Sequence, residues 1–153
     1  MQIRVQRVKL LVQVVVVLSL IFSMTGAFNV LAAPAKASYQ YYVVGNASDV
    51  SRSTTAGQLL MGGGTDVDAA FQWMIGKAGG GDFVVIRATG TDAYNPYIYG
   101  LGTVDSVETI ITKNRAAASD PFVVAKIRSA EALFIAGGDQ NDYLCHLMER
   151  HPR

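Results

Sequence analysis

Two stretches of this 153-residue chain carry residue types and spacings that could do chemistry. The first is Gly62-Gly63-Gly64-Thr65-Asp66. Backbone N–H groups at a glycine turn that opens a helix can face an anion or an oxyanion. The plainer alternative is a tight turn at a strand end. The second is Gly137-Gly138-Asp139-Gln140, where Leu133 to Ala136, a strand-forming run, meets two glycines and an acid–amide pair. An acid in that place can orient a neighbouring group, and an amide can hydrogen-bond a substrate. The candidate substrate-binding residues are therefore Gly63, Gly64, Asp139 and Gln140.

Other chemistries fail on spacing. A dinucleotide fingerprint starting at Gly62 would need glycine at position 67, where Val67 stands, and no Gly-Lys-Ser/Thr follows a glycine loop, so no cofactor is expected. His146 and His151 are five residues apart, whereas a zinc helix sets its histidines four apart, and Pro152 disrupts helix there, so no metal is expected. Cys145 sits in the middle of an expected helix, without the strand-to-helix elbow that exposes a nucleophile, and reads as a buried or half-buried thiol. No serine of residues 38–153 stands in a G-x-S-x-G elbow; Ser48 in "GNASDV" comes nearest and lacks the second glycine. No catalytic residue is expected in the chain as it stands.

The elements that must position these residues alternate. Tyr39 to Val44 is dense in aromatic and β-branched residues and suits an edge strand. "GNASDVSRSTTAG" reads as a loop. "QLLM", Gln58 to Met61, is a short apolar strand stopped by glycines. Thr65 then offers an N-cap with Asp68 in the capping-box position, and Val67, Ala70, Phe71, Met74 and Ile75 follow at helical spacing. "DFVVIRA" is a buried-type strand, "SVETII" is a third strand and "ALFIA" a fourth, expected to be left partly uncovered. Asn95-Pro96 marks a loop before a short aromatic segment, Tyr97 to Leu101, and Asp120-Pro121 starts another helix. Unbroken apolar strands alternating with helices predict an α/β fold with a parallel sheet covered on both faces. Ligands bind such sheets beyond the carboxyl ends of the strands. The glycines at 62–64, 90 and 137–138 fall there.

Residues 1–37 stand apart. Arg4, Arg7 and Lys9 precede an apolar run from Leu10 to Phe22, and "LAAPAKAS" supplies an A-x-A site before Ser38. That order predicts a secretory signal peptide over 1–37 and a domain over 38–153, with a periplasmic, cell-surface or extracellular location. The rival reading is a retained membrane anchor, since no charge appears from Leu10 to Ala35. Residues 1–37 hold four of the 13 basic residues and none of the 12 acids, which leaves 38–153 at a net charge of −3. With no basic run and no basic face, a nucleic-acid partner is not expected. No stable membrane partner is expected if the leader is cleaved. The single cysteine excludes an internal disulfide framework, so stability must rest on an apolar core of modest size.

Taken in order, the "GGGTD" turn, the strand "GGGDFVVI", the helix start "DP" and the strand end "GGDQ" resemble the cyanophycinase-like serine exopeptidases, from Gln58 to Leu144. The resemblance implies a flavodoxin-like three-layer sandwich related to class I glutamine amidotransferases. It also implies a hydrolase of the Ser-His-Glu type acting on peptide or dipeptide substrates; the namesake enzymes cut β-linked Asp-Arg dipeptides from cyanophycin. Asp139 and Gln140 match the family's "GGDQ" pair beside the site, and Gly63 and Gly64 match its first strand turn. The family's serine lies in a G-x-S-A-G elbow after the next strand and its histidine lies further on; this sequence has neither. After Leu144 the match fades. The expectation is the N-terminal part of such a domain, incomplete at its C-terminus and without peptidase activity. Two alternatives stand beside it: a non-catalytic exported α/β binding domain, and assembly with a separate chain that supplies the serine and histidine.

Overall fold

The computed structural model describes residues 36–147. The expected leader over 1–37 lies almost wholly outside them. The described residues form an α/β fold around a four-stranded sheet. The elements are β1 (Tyr39–Gly45), α1 (Asp68–Ala78), β2 (Asp82–Arg87), α2 (Tyr94–Leu101), β3 (Ser106–Thr112), a 3-10 turn (Arg115–Ser119), α3 (Pro121–Ser129), β4 (Ala132–Ile135) and α4 (Gln140–Leu147). The strand order is β1-β3-β2-β4.

The two central strands are the most buried, since helices cover them on both faces, although β3 carries Ser106, Glu108, Thr109 and Thr112 among its seven residues. β3 is buried at all seven positions and β2 at every position but Arg87. β2 pairs parallel with β3 and with β4, as expected. The sheet is nevertheless mixed rather than purely parallel: β1 runs antiparallel to β3, from Tyr39 opposite Thr112 to Gly45 opposite Ser106. An antiparallel edge strand on an otherwise parallel sheet is a common solution, because only one of its sides must be paired.

Alternation along the strands sends Phe83 and Val85 to one face and Val84 and Ile86 to the other. On the first face Phe71 and Ile75 of α1 and Ile98 of α2 close over Phe83, Val85 and Val107. Phe71 is the hub: its ring lies 5.0 Å from Phe134 and 5.4 Å from Tyr97, both edge-on. Such pairs add about 1 kcal/mol each beyond the area they bury. On the second face Val123 and Ile127 of α3 and Tyr143 of α4 pack on Val84, Ile86 and Ile110. The layers are thus helix, sheet, helix.

Three local expectations change. "QLLM" is not a strand: Leu60 is 87% exposed, and only Met61 packs against the core. The glycines that follow make ordering costly, and among the described residues no strand pairs with it to offset the cost. Helix α1 starts at Asp68 with Val67 before it and no side-chain cap, rather than at a Thr65 cap. Asp68 is drawn away from capping because its carboxylate accepts the Tyr97 hydroxyl at 2.6 Å. The Asn95-Pro96 segment is the first turn of α2 rather than a loop. Proline is tolerated there because its missing N–H has no helical partner in any case. Asn95 is fully buried and its Oδ1 accepts the Thr109 hydroxyl of β3 at 2.6 Å, which pins the helix to the sheet.

Other signals are realised as read. Asp120 caps α3 through the Phe122 N–H at 2.9 Å, with Pro121 at the first helical position. Gly79 ends α1 with φ +62°, a conformation that favours glycine, and the carbonyl of Ser53 stands where a Cβ would project. The long loop between β1 and α1 is tied down by four backbone N–H groups: Asn46 to the Asp105 carbonyl, Val50 to Asp82, Arg52 to Glu131 and Thr55 to the Lys77 carbonyl.

Candidate functional site

Beyond the carboxyl end of β2 the chain turns through Thr89 and Gly90 into α2, and the start of α1 lies alongside. Thr65, Asp66, Asp68, Arg87, Ala93, Tyr94 and Tyr97 line a groove of about 450 Å³ there. This is the end of the sheet where a ligand is expected in an α/β fold.

Each charged or tyrosine side chain in the groove is held by a neighbour. Arg87, the last residue of β2, donates from Nη1 to the Thr91 carbonyl at 2.7 Å and lies over the Tyr94 ring at 5.2 Å. Its Nε is buried with no hydrogen-bond partner. Gly90, with φ +103°, makes room for it: a Cβ there would stand 2.5 Å from Nη2. Tyr94 donates to Asp66 at 3.2 Å, and Tyr97 donates to Asp68 at 2.6 Å. The hydrogen bond to Asp68 is the main reason the Tyr97 hydroxyl is pushed up to about 12, with partial burial and the charges of Asp68 and Asp66 adding to it. Tyr94 is raised as well, first by burial and then by Asp66, against the opposing charge of Arg87.

The charges of the groove are not neutralised by one another. Among the described residues the one ion pair closer than 4 Å is Lys126 with Glu108, at the far end of the sheet. Asp66, Asp68 and Arg87 therefore leave the groove with net charge −1, both signs present and both accessible.

The far end is arranged differently. Asp82, Ser106 and Glu108 are buried. Ser106 lies 2.7 Å from Asp82 and 3.2 Å from Glu108, and Lys126 donates to Glu108 at 2.8 Å and to the Ala47 carbonyl at 3.2 Å. Asp82 also accepts the Val50 N–H, and Glu131 accepts the N–H groups of Asp82 and Arg52. Glu108 Oε2 is the member without a partner. Burial works to lower the Lys126 ammonium, but the hydrogen bond and charge of Glu108, with Tyr41, outweigh it and leave the group raised.

The four residues expected at the site occupy two places outside the groove lining. Gly63 and Gly64 are exposed, just before Thr65, with open space where a side chain would project. Asp139 follows the carboxyl end of β4, and its Oδ1 accepts the Asn141 N–H at 2.8 Å, which makes it the cap of α4. Gln140 is the first residue of that helix and is exposed. Cys145 lies half-buried in α4, with its sulfur 4.0 Å from Asn141 Oδ1. The His146 side chain and His151 lie outside the described residues; among the described ones no cluster of three metal ligands forms.

Sequence reasoning pointed to the carboxyl ends of the strands, where the groove lies, and did not name the residues that line it. The available signals were an arginine closing an otherwise apolar strand, in "DFVVIR", and tyrosines packed into "DAYNPYIY" just after it. No family model, curated protein or solved structure matches the chain.

Proposed function

We propose that this chain is an exported binding domain of the cyanophycinase-like serine-peptidase type, which holds a peptide or dipeptide ligand in the groove beside Arg87 and does not cleave it. The observation that carries this reading is the groove itself. Two carboxylates, a guanidinium and two tyrosine hydroxyls converge beyond the carboxyl end of a parallel strand. Peptides present ammonium, carboxylate and amide groups that suit these partners. The helix–sheet–helix layers are consistent with the flavodoxin-like sandwich that the resemblance implies.

Acyl transfer needs a nucleophile, a base to take its proton and donors for the oxyanion. The groove's aliphatic hydroxyl is Thr65, and neither a serine nor a cysteine lines it. Losing a serine nucleophile alone removes catalysis by about a millionfold in a well-studied protease. The test is to titrate the protein with β-aspartyl and α-linked dipeptides, following backbone amide shifts, and to assay hydrolysis in the same samples. Shifts centred on Asp68, Arg87 and Tyr94 without turnover are expected. Turnover that disappears in Ser48→Ala or Cys145→Ala would overturn the reading, as would shifts confined to residues remote from the groove. Export rests on the basic, apolar and small-residue order of residues 1–37. Protein recovered outside the cytoplasm should begin near Ser38 on N-terminal sequencing; an intact Met1 on membranes would indicate an anchor instead.

A further inference from the structure

We infer that the groove selects ligands carrying a cation and an anion together, with the ammonium held by Asp66 and Asp68 and the carboxylate held by Arg87. This rests on the groove being the ligand site and adds how it discriminates.

Three observations carry it. First, charges of both signs line one space and none is within ion-pair distance of another. Opposite charges that share a cavity would gain by pairing unless something holds them apart. Second, each is restrained by a different neighbour. Arg87 is fixed by the Thr91 carbonyl and the Tyr94 ring, Asp66 by the Tyr94 hydroxyl and Asp68 by the Tyr97 hydroxyl. A restrained group loses little freedom when a ligand arrives, so the site is organised in advance. Third, each group keeps unused capacity. The tyrosines are bonded to one oxygen of each carboxylate, and of the guanidinium's donors Nη1 is used on Thr91. A carboxylate accepts at about four lone-pair sites and a guanidinium carries five N–H donors.

A ligand with only one charge would bring that charge beside its partner and leave the opposite charge of the groove unanswered, while displacing water from it. Uncompensated desolvation offsets the gain. A ligand with both charges satisfies the two halves at once, and the tyrosine rings offer apolar surface between them. A free amino acid, a dipeptide and a longer peptide end all carry this chemistry, in different separations of the two charges.

The experiment uses a matched set of probes: Ala-Ala, its N-acetyl form without the ammonium, its C-terminal amide without the carboxylate, and alanine and Ala-Ala-Ala to vary the charge separation. Binding is measured by calorimetry and by amide shifts at the groove. Ala-Ala or its shorter or longer relative should bind at least tenfold more tightly than either blocked form. Arg87→Gln should remove the advantage of the free carboxylate and keep that of the ammonium; Asp68→Asn should do the reverse. Circular dichroism on both variants shows that the fold is retained, and Asp66→Asn provides a second route to the same reading if Asp68→Asn unfolds. Blocked forms that bind as tightly as the free ones, with shifts at the groove, would sink the inference and leave the ligand site standing. No groove shift with any probe would sink both.

Discussion

At the amino ends of β2 and β3, Asp82, Ser106 and Glu108 are buried and bonded to one another or to Lys126. At the carboxyl end of β2, Asp66, Asp68 and Arg87 face open space and bond to tyrosines and a carbonyl instead. Both ends hold two acids and one base. Their treatment follows from water. A buried charge without a partner costs several kcal/mol, so the amino end must pair its acids, whereas a charge in a solvated groove can wait. The contrast separates polar groups that hold the sheet from polar groups left free to meet a ligand.

The largest effect should come from breaking the pair at the buried end. Lys126→Met strands Glu108, whose side chain is 1% exposed, beside Asp82. Removing one partner of a buried pair costs about 3 kcal/mol or more. Urea denaturation should show that loss, and the double variant Glu108→Leu with Lys126→Met should recover most of it. A loss under about 1 kcal/mol for the single variant would class the pair with ordinary surface pairs and blur the contrast between the ends. At the open end Arg87→Gln should cost far less stability, since no carboxylate depends on it; its effect should fall on binding.

The two edges of the sheet offer a second contrast. β1 is backed by side chains: the rings of Tyr39 and Tyr41 lie 5.8 Å and 4.9 Å from Phe122 of α3. β4 pairs on one side with β2, and on the α3 face Leu133 and Ile135 remain 41% and 59% exposed. A strand edge with exposed apolar residues invites self-association. Ile135→Lys should therefore reduce aggregation and hydrophobic-dye binding and change stability by no more than about 0.5 kcal/mol. A drop of 2 kcal/mol would mean that the side chain is packed, and the edge covered.

How much of this was legible depended on the range of the interactions involved. Asp120-Pro121 announces α3 because capping is settled within three residues. The apolar run announces β2 because burial on both faces needs no other pattern; the run at β4 announces a strand but not its burial, since Leu133 and Ile135 stay exposed. The antiparallel direction of β1 is invisible locally, since it is decided by which strand lies beside it. Helix α2 hides behind Asn95-Pro96, because what fixes it is the bond from Thr109, fourteen residues away in the chain. The groove was hardest to read. Its acids come from just before α1 and from its first residue, its arginine from the end of β2 and its tyrosines from α2, so the constellation has no spacing of its own. Asp68 even carried a misleading signal: its position fits a capping box, while Tyr97, from another helix, claims its carboxylate.

That competition supplies the finest test of the contrast, through the alkaline titration of Tyr97. A hydroxyl that donates to a carboxylate resists losing its proton, and Tyr97 is accordingly pushed up to about 12. The sign for stability follows. The folded state holds the proton more tightly than the unfolded chain, whose tyrosines titrate near the ordinary value of 10. The stabilising contribution is therefore complete below pH 10 and is lost as pH rises through 12, in the same direction as that of the raised Lys126 ammonium. Asp68→Asn removes the charge and weakens the acceptor but keeps the shape. Tyrosine absorbance measured against pH should show one hydroxyl moving from about 12 toward 10 in that variant, while Lys126→Met leaves it unmoved. A Tyr97→Phe difference titration identifies the hydroxyl. If it titrates near 10 in the parent protein, the bond to Asp68 is absent in solution, and the acid is free to cap α1 as its position in the sequence first suggests.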